Sequence, residues 1–402
     1  MINLSLEWRT VELKSIAEVI MGQSPKSEFY NQDGKGMPFL QGNKTFGDKY
    51  PSFELFTTSI KKVAEKDSVL MSVRAPVGDL NIAQEDICIG RGVCSIKMKN
   101  GYNEFLYYLL KANISQLINK ESGTVFGSIN KNDIETFEVT LPTEPKDQVK
   151  LLNILKNIDR KIENCNSINK NLEEQLLEIF NSWFFKFELS TEFIDSSLGV
   201  IPKGWNVDYL GSKKSCSIIG SGIDDFNHSK IYIATADVDN SIITNNETLI
   251  TFEDKPSRAN MQPVEKSIWF AKMIDSRKLI MVDNYCYELL NNYIFSTGFC
   301  GLKCKDEYFY YLWTFLLSDT FDTIKNNFCT GTTMQAINNK DTKLIDFVLP
   351  DNELLSKFNN IAEPIYQKIY YNNLEINKLQ KLRDILLPKL MSGVIEVSKI
   401  NY

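Results

Sequence analysis

Two groups of polar and basic side chains in this 402-residue sequence have the chemistry that contacts with DNA require. Arginine and lysine donate hydrogen bonds to guanine edges and phosphates, while asparagine and glutamine pair with adenine. The group in the first third of the chain is Gln23, Ser24, Lys26, Gln41, Asn43, Lys44, Arg74, Arg91, Ser128, Asn130 and Lys131. The group in the second half is Lys272, Arg277, Lys278, Thr332, Thr333, Gln335 and Asn338. Taken singly, each residue is better explained as a solvated loop residue or a turn former.

A role of the two groups in DNA contact is favoured because they lie in duplicated segments of the chain. GTVFGSINKNDIETFEVTLP at 123–142 matches GTTMQAINNKDTKLIDFVLP at 331–350. GRGVCSIK at 90–97 matches STGFCGLK at 296–303 in the same order along the chain. Chance rarely holds one register over so many identities, so we infer an internal duplication whose second copy carries loop insertions.

Each copy combines strand patterns with one helical pattern. Short apolar runs such as SVLMSV at 68–73 and KLIMV at 278–282 lie between turn residues and indicate strands. The stretches EFLYYLLKANISQLI at 104–118 and EYFYYLWTFLLSDTF at 307–321 are helical in pattern and lie at matching places in the two copies. Each copy is therefore predicted to fold as an α+β domain.

A long stripe of apolar residues at three- and four-residue steps follows each domain, over 149–183 and over 354–386. One helix cannot bury such a stripe alone, so we predict two pseudo-symmetric α+β domains and two long helices that pair as an antiparallel coiled coil. Pro364 is expected to kink the second helix or to mark its true start. The predicted segments are a first domain at 1–142, a helical region at 143–190, a linker at 191–204, a second domain at 205–350, and a second helical region with a tail at 351–402.

No set of residues with catalytic spacing emerges from the sequence. His228 is the one histidine, and a solvated loop histidine is a better interpretation than a catalytic one. Cys300 and Cys304 have no second Cys/His pair near them, so they are expected to share one face of a strand. The chain contains neither a GxxxxGK[ST] loop nor a Pro-Pro dipeptide, which leaves no phosphate-binding loop and no amino-methyltransferase motif.

The bulk composition sets weaker limits. The net charge of −6 counts against non-specific coating of nucleic acid, but it allows a reader of specific bases whose cations lie on one face. Eight scattered cysteines fit reduced thiols. The sequence lacks an apolar run of membrane-spanning length and a signal-peptide pattern at its start, so we expect a cytoplasmic protein.

Four stretches resemble the specificity subunit of type I restriction–modification systems. MSVRAPVGDLNIAQEDICIGRG at 71–92 and LLNNYIFSTGF at 289–299 resemble two versions of that family's target-recognition domain. NSWFFKFELSTEFIDSSLGVIPKGW at 181–205 is similar to the bridge between its halves, and KLRDILLPKLMSG at 381–393 to its C-terminal helix ending. The RAPVG and GRG motifs of the first copy are not retained in the second, as expected if the two domains read different bases.

The resemblance implies a non-catalytic subunit with two target-recognition domains, each of which reads one half of a bipartite site in double-stranded DNA. It also implies that the helices set the spacing and dock two DNA adenine methyltransferase (M) subunits, with restriction (R) subunits joining through the complex. S-adenosylmethionine would bind to M, and ATP and Mg to R, so this chain itself would hold no cofactor. The helix residues expected to bind partners are Ile158, Ile162, Leu172, Leu176, Ile369, Ile376, Leu379 and Leu382.

Three alternatives stay open from the sequence. The same chain could serve a modification-only or phase-variable system without an R subunit. It could be a single-chain methyltransferase or nuclease, or a coiled-coil scaffold that does not bind DNA.

Overall fold

A computed structural model of the chain describes residues 6–119, 127–331 and 334–395. The chain forms two compact units, one built from Met1–Asn164 with Glu375–Tyr402 and the other from Cys165–Leu374. Each unit contains one sheet-rich domain and one part of each long helix. The sequence prediction gave each helix a segment of its own, and those boundaries stay predictions.

The described part of the first unit alternates short strands with a few helices. Its strands are β1 (Trp8–Glu12), β2 (Ala17–Met21), β3 (Tyr30–Asn31), β4 (Met37–Leu40), β5 (Phe56–Thr57), β6 (Val63–Ala64), β7 (Val69–Ser72), β8 (Leu80–Ile82), β9 (Ile87–Ile89), β10 (Val93–Met98) and β11 (Glu138–Pro142). Its helices are α1 (Leu13–Ile16), α2 (Asn103–Asn119), α3 (Lys131–Glu135) and the first part of α4 (Pro145–Phe180).

Two sheets and a helix build the core of the first unit. One sheet has the antiparallel order β2-β10-β7-β8, and the other has the order β3-β5-β4-β9-β6, in which β4 and β9 run parallel. Helix α2 is apolar on most sides, so its residues Phe105, Leu106 and Leu109 are completely buried. Each such side chain stabilises the fold by roughly 1.5–3 kcal/mol relative to an exposed one. Strand β1 pairs with β11 and joins the two ends of the domain.

The second unit repeats this plan with insertions. Its strands are β12 (Phe193–Ser196), β13 (Gly199–Pro202), β14 (Asn206–Tyr209), β15 (Cys216–Ile218), β16 (Lys230–Ile233), β17 (Val238–Asp239), β18 (Ile242–Ile243), β19 (Leu249–Ile250), β20 (Ala259–Met261), β21 (Ser267–Ala271), β22 (Leu279–Val282), β23 (Tyr293–Ser296), β24 (Phe299–Cys304) and β25 (Asp346–Leu349). Its helices are α5 (Tyr287–Asn292), α6 (Phe309–Leu317), α7 (Asp319–Asn327), α8 (Asn339–Thr342) and the first part of α9 (Asn352–Met391), and a π-helical turn, Asn181–Phe185, follows α4.

The strand orders of the two units match. The order β15-β24-β21-β22 corresponds to β2-β10-β7-β8, and the parallel pair β16 and β23 corresponds to β4 and β9. Strand β14 pairs with β25 as β1 pairs with β11. The predicted fold class, two pseudo-symmetric α+β domains with two long helices, is therefore confirmed.

In the first unit the two long helices are held together by charged groups. Arg383 Nη1 of α9 donates to Asp159 Oδ1 of α4 at 2.9 Å, and Lys161 Nζ lies 2.8 Å from Glu375 Oε1. Residue numbers that rise along α4 meet numbers that fall along α9, so the helices are antiparallel here.

In the second unit the same helices meet through amides and aromatic rings. Asn169 accepts from Asn372 at 2.7 Å and donates to Asn373 at 2.8 Å, and the rings of Phe180 and Phe358 lie 5.7 Å apart. The order of these contacts is again antiparallel, as the stripe pattern predicted.

Because α9 begins at Asn352, the expectation that Pro364 marks its start was wrong. In the described part of the chain, none of the helices has the length and apolar character needed to cross a membrane.

Candidate nucleic-acid interface

A cleft of about 420 Å³ opens in the first unit. Strands β4 and β9 run parallel, so their carboxyl ends lie at the same edge of the sheet. Gln41 directly follows β4, Arg91 follows β9, and Arg74 follows β7 by two residues. The structure brings six residues of the predicted set together in the lining of this cleft, namely Ser24, Gln41, Asn43, Lys44, Arg74 and Arg91.

The GRG motif holds this edge together through close backbone contacts. Gly90 N donates to Leu40 O at 2.8 Å, and Gly92 N donates to Gln41 O at 3.1 Å. A Cβ atom on Gly92 would lie 2.6 Å from Gln41 O, so only glycine fits there. Between the two glycines, Arg91 N donates to Ser24 Oγ at 3.1 Å. Arg91 makes this hydrogen bond with its backbone, and its side chain is exposed.

Arg74 and Arg91 place two exposed positive charges at the cleft. Both side chains are exposed, and within residues 6–119, 127–331 and 334–395 neither guanidinium has an ion-pair or hydrogen-bond partner. The backbone of Arg74 forms an isolated bridge with Ser128, which places that predicted residue beside it. A planar guanidinium can donate two parallel hydrogen bonds to the O6 and N7 atoms of guanine or to a phosphate.

Several of the other candidates in the first unit are already paired with acidic side chains. The pairs are Asn43 with Asp79 (2.5 Å), Lys44 with Glu54 (3.0 Å), Lys26 with Glu28 (3.7 Å) and Lys131 with Glu135 (3.4 Å). Such exposed ion pairs contribute about 0–1 kcal/mol, so the lysines can exchange a carboxylate for a phosphate at little cost. Gln23 is exposed next to Ser24, with its backbone N–H bonded to Ile89 O.

Asn130 and Asn338 have a role in the fold that the sequence analysis did not assign. Asn130 caps helix α3, since its side chain accepts from Asp133 N while Asp133 accepts from Asn130 N. Asn338 caps α8 by accepting from the backbone N–H groups of Lys340 and Asp341. The repeated Ile-Asn-x-x-Asp text therefore encodes a helix cap in both copies.

Replacing Asn130 with alanine should lower the free energy of unfolding by about 1 kcal/mol, because the backbone N–H of Asp133 loses its partner. Asn132→Ala, at an exposed position of the same helix, is the matched control and should change the stability little. Denaturant titration measures both. A selective loss of DNA affinity with unchanged stability would show instead that Asn130 contacts DNA.

The basic cluster expected in the second unit is largely engaged with the protein itself. Arg277 lies 2.7 Å from Asp319 and 3.4 Å from Asp322, and it donates to Leu317 O at the end of α6. Burial raises the pKa of the Asp322 carboxyl, whereas the charges of Lys325 and Arg277 oppose that rise. The Arg277 side chain thus ties the β21–β22 turn to α6 and α7.

The remaining predicted residues of the second unit are less concentrated than expected. Lys272 Nζ donates to Thr297 O at 3.2 Å, and Lys278 is half-buried. Gln335 is exposed, with its backbone oxygen accepting from Ile274 N. Thr332 and Thr333 lie outside the described residues.

Arg258 is a cation at this edge that the sequence analysis missed. Its side chain is exposed, and its backbone oxygen accepts from Thr297 N at 2.9 Å. Thr297 occupies the middle of STG at 296–298, the text that matches GRG at 90–92. Only the strand pairing shows that Arg258, from a separate segment of the sequence, lies next to this motif.

The helix residues expected to bind partners fall into three groups. Ile162, Leu176 and Ile376 are buried within the units, so in this structure they offer no surface to a partner. Four are half-buried, namely Ile158, Leu172, Ile369 and Leu379. Leu382 is 44% exposed, and Ile385, one turn further along α9, is 56% exposed and was not predicted.

Cys300 and Cys304 carry free, buried thiols on β24. Burial raises the pKa of the Cys300 thiol to about 12. Over the described residues, no three or more His, Cys, Asp or Glu side chains are grouped so that they could hold a metal ion. His228 is exposed, and its ring lies 6.2 Å from that of Phe226.

Comparisons with known proteins agree with this architecture. A family model described as the type I restriction modification DNA specificity domain matches residues 5–174. The type I restriction enzyme MjaIX specificity subunit of Methanocaldococcus jannaschii is 27% identical over 422 aligned residues, covering 98% of this chain and 95% of that protein. The putative type I restriction enzyme MjaX specificity subunit of the same organism is 39% identical over 179 residues, which are 44% of this chain and 42% of that protein.

One solved structure supports the fold over nearly the whole length. The crystal structure of a type I restriction–modification system S subunit from M. genitalium superposes with a TM-score of 0.54 at 18% identity, and the match covers 97% of each chain. The family model matches the first domain and much of α4, while the M. jannaschii protein aligns with both halves. Residues 5–174 therefore match the DNA specificity domain of type I restriction–modification systems, and nearly the whole chain is similar to a type I specificity subunit.

Proposed function

We propose that this chain reads DNA sequence for its complex and performs no catalysis itself. Each recognition domain reads one half of a bipartite site in duplex DNA, and the helix pair sets the spacing and docks two M subunits. S-adenosylmethionine then binds to M, and ATP and Mg bind to R, so this chain holds no cofactor. The protein works in the cytoplasm, and the same role serves a system that lacks an R subunit.

The cleft of the first unit is the observation that carries this proposal. It combines two exposed guanidinium groups without partners among the described residues, Arg74 and Arg91, with the amide of Gln41. Because the whole chain has a net charge of −6, a cationic cleft on one face favours local contacts over general attraction to DNA. The glycines beside Arg91 fix the backbone, so the side chain is presented from a rigid edge.

A salt-dependent binding titration tests the proposal. The chain loaded with its M subunits is mixed with a duplex carrying its methylation site or with a scrambled duplex of the same composition. We expect tight binding to the first duplex, and weaker, more salt-sensitive binding to the second. Equal affinity for both duplexes at every salt concentration would contradict a sequence-reading role.

The exposed face of α9 is the surface that we propose for an M subunit. Leu382 and Ile385 lie three residues apart, so they share one side of the helix. Neighbouring exposed apolar side chains on one side of a helix favour a contact with another protein. The buried seam residues act indirectly, by holding the helices together.

Replacing Leu382 and Ile385 with aspartate should weaken M binding at least about 100-fold, because unpaired carboxylates would be buried in the contact. The fold should be retained, since both positions are exposed in the chain alone. Asn377→Asp, which adds the same group on a different side of α9, is the control and should bind M normally. Co-purification with M measures the effect, and normal assembly by the double variant would place the M contact elsewhere.

A further inference from the structure

The position of Arg74 in the first domain is defined by backbone hydrogen bonds on both sides. Val73 N donates to Gly92 O at 2.9 Å, and Val73 O accepts from Ile129 N at 3.1 Å. The next residue, Arg74, forms an isolated antiparallel bridge with Ser128. These contacts join the end of β7, the GRG loop and the duplicated segment before α3 at one point.

The second domain has the same three contacts around a different side chain. Lys272 N donates to Gly298 O at 3.0 Å, and Lys272 O accepts from Ile337 N at 2.9 Å. The next residue, Met273, forms an isolated antiparallel bridge with Ala336. Met273 therefore occupies the position that Arg74 has in the first domain.

The side chains at this edge change character between the two domains. Met273 is 42% exposed, and Met334, in the same segment as Ala336, is 71% exposed. Thr297 stands where Arg91 stands in the first domain. Arg258 still gives this edge an exposed cation, which suffices for a phosphate contact.

From this exchange, and resting on the proposed function, we infer that Met273 contacts the methyl group of a thymine in the second half-site. The thymine methyl is the one apolar group on the base edges of the major groove. A thioether side chain is flexible and polarisable, so it packs well against such a group. The second domain thus reads by apolar contact at the position where the first presents a guanidinium.

Base analogues in the DNA test this contact atom by atom. Once the methylation site is known, each thymine of the second half-site is replaced in turn by uracil, which lacks only the methyl group. Affinity is measured with the M-loaded full-length chain. One position should lose about fourfold in affinity, the amount expected for burying one methyl group.

Variants of Met273 test the same contact from the side of the protein. Met273→Ala should bind the thymine duplex about fourfold more weakly and no longer distinguish it from the uracil duplex. Met273→Leu should keep the distinction, because it preserves an apolar side chain of similar volume. Leu249→Ala, at another exposed apolar position on β19, is the control and should leave the distinction intact.

The outcomes separate this inference from the proposed function. If the wild-type complex binds its site specifically, then a second half-site without A·T pairs, or a Met273→Ala variant that still distinguishes thymine from uracil, overturns the methyl contact alone. If the wild-type complex does not distinguish its site from a scrambled duplex, the reading role itself fails, and the methyl contact with it.

Discussion

Replacing Arg383 with alanine is expected to lower the free energy of unfolding of the first unit by about 3–5 kcal/mol, because it leaves a buried carboxylate without its ion partner. The side chain of Asp159 is only 7% exposed, and Arg383 Nη1 is bonded to it at 2.9 Å. Burial and the Asp159 charge raise the pKa of Tyr108, so its hydroxyl stays protonated and donates to the same carboxylate. Lys49 Nζ lies 3.9 Å away and offsets only part of the loss.

Two controls separate burial from charge in that measurement. Lys170→Ala removes an exposed pair with Glu174 in α4 and should change the stability by less than about 0.5 kcal/mol. Replacing Asp159 by leucine together with Arg383 by methionine should recover much of the loss, since neither position then carries a buried charge. Thermal and urea unfolding report the values. A loss below about 1 kcal/mol for Arg383→Ala would show that water reaches Asp159.

Replacing both Arg74 and Arg91 with alanine is expected to abolish most of the discrimination between the cognate and a scrambled duplex. Each arginine that contacts a base should contribute about 1–3 kcal/mol to specific binding. The two side chains are exposed and have no partners among the described residues, so their loss should leave the melting temperature and M binding unchanged.

Lys26→Ala provides the matched comparison for the two arginines. Lys26 is exposed, pairs with Glu28 at 3.7 Å and is not among the residues that line the cleft, so we expect it to contact a phosphate. Its loss should weaken binding to both duplexes equally and reduce the salt dependence. The same uniform effect from the double arginine variant would mean that Arg74 and Arg91 hold phosphates and do not read bases.

The sequence was sufficient to predict the features that depend on pattern. The duplicated text at 123–142 and 331–350 corresponds to matched strand orders, and the apolar stripes correspond to α4 and α9. These predictions succeed because burial of one face of a helix or strand repeats apolar residues at a fixed spacing along the sequence. Of the two expectations for Pro364, a kink or a helix start, the helix start was wrong, because α9 begins at Asn352 and continues through Pro364.

Features that depend on which backbone atoms meet could not be predicted. The sequence grouped Arg277 with Lys272 and Lys278, but its neighbours Asp319 and Asp322 come from α7, more than forty residues later. The equivalence of Met273 with Arg74 is hidden because the second copy contains insertions that shift the alignment. Asn130 was assigned to DNA because asparagine suits both adenine and a helix cap, and its residue type alone does not separate these roles.

Modified-base sequencing of a strain that expresses this chain with its M subunit tests the central claim most directly. If two different recognition domains each read one half of the target, the methylated sites should share a gapped, asymmetric motif with one methylated adenine on each strand. Deleting the chain should remove that motif. A continuous palindrome, or a motif that persists without the chain, would contradict the account.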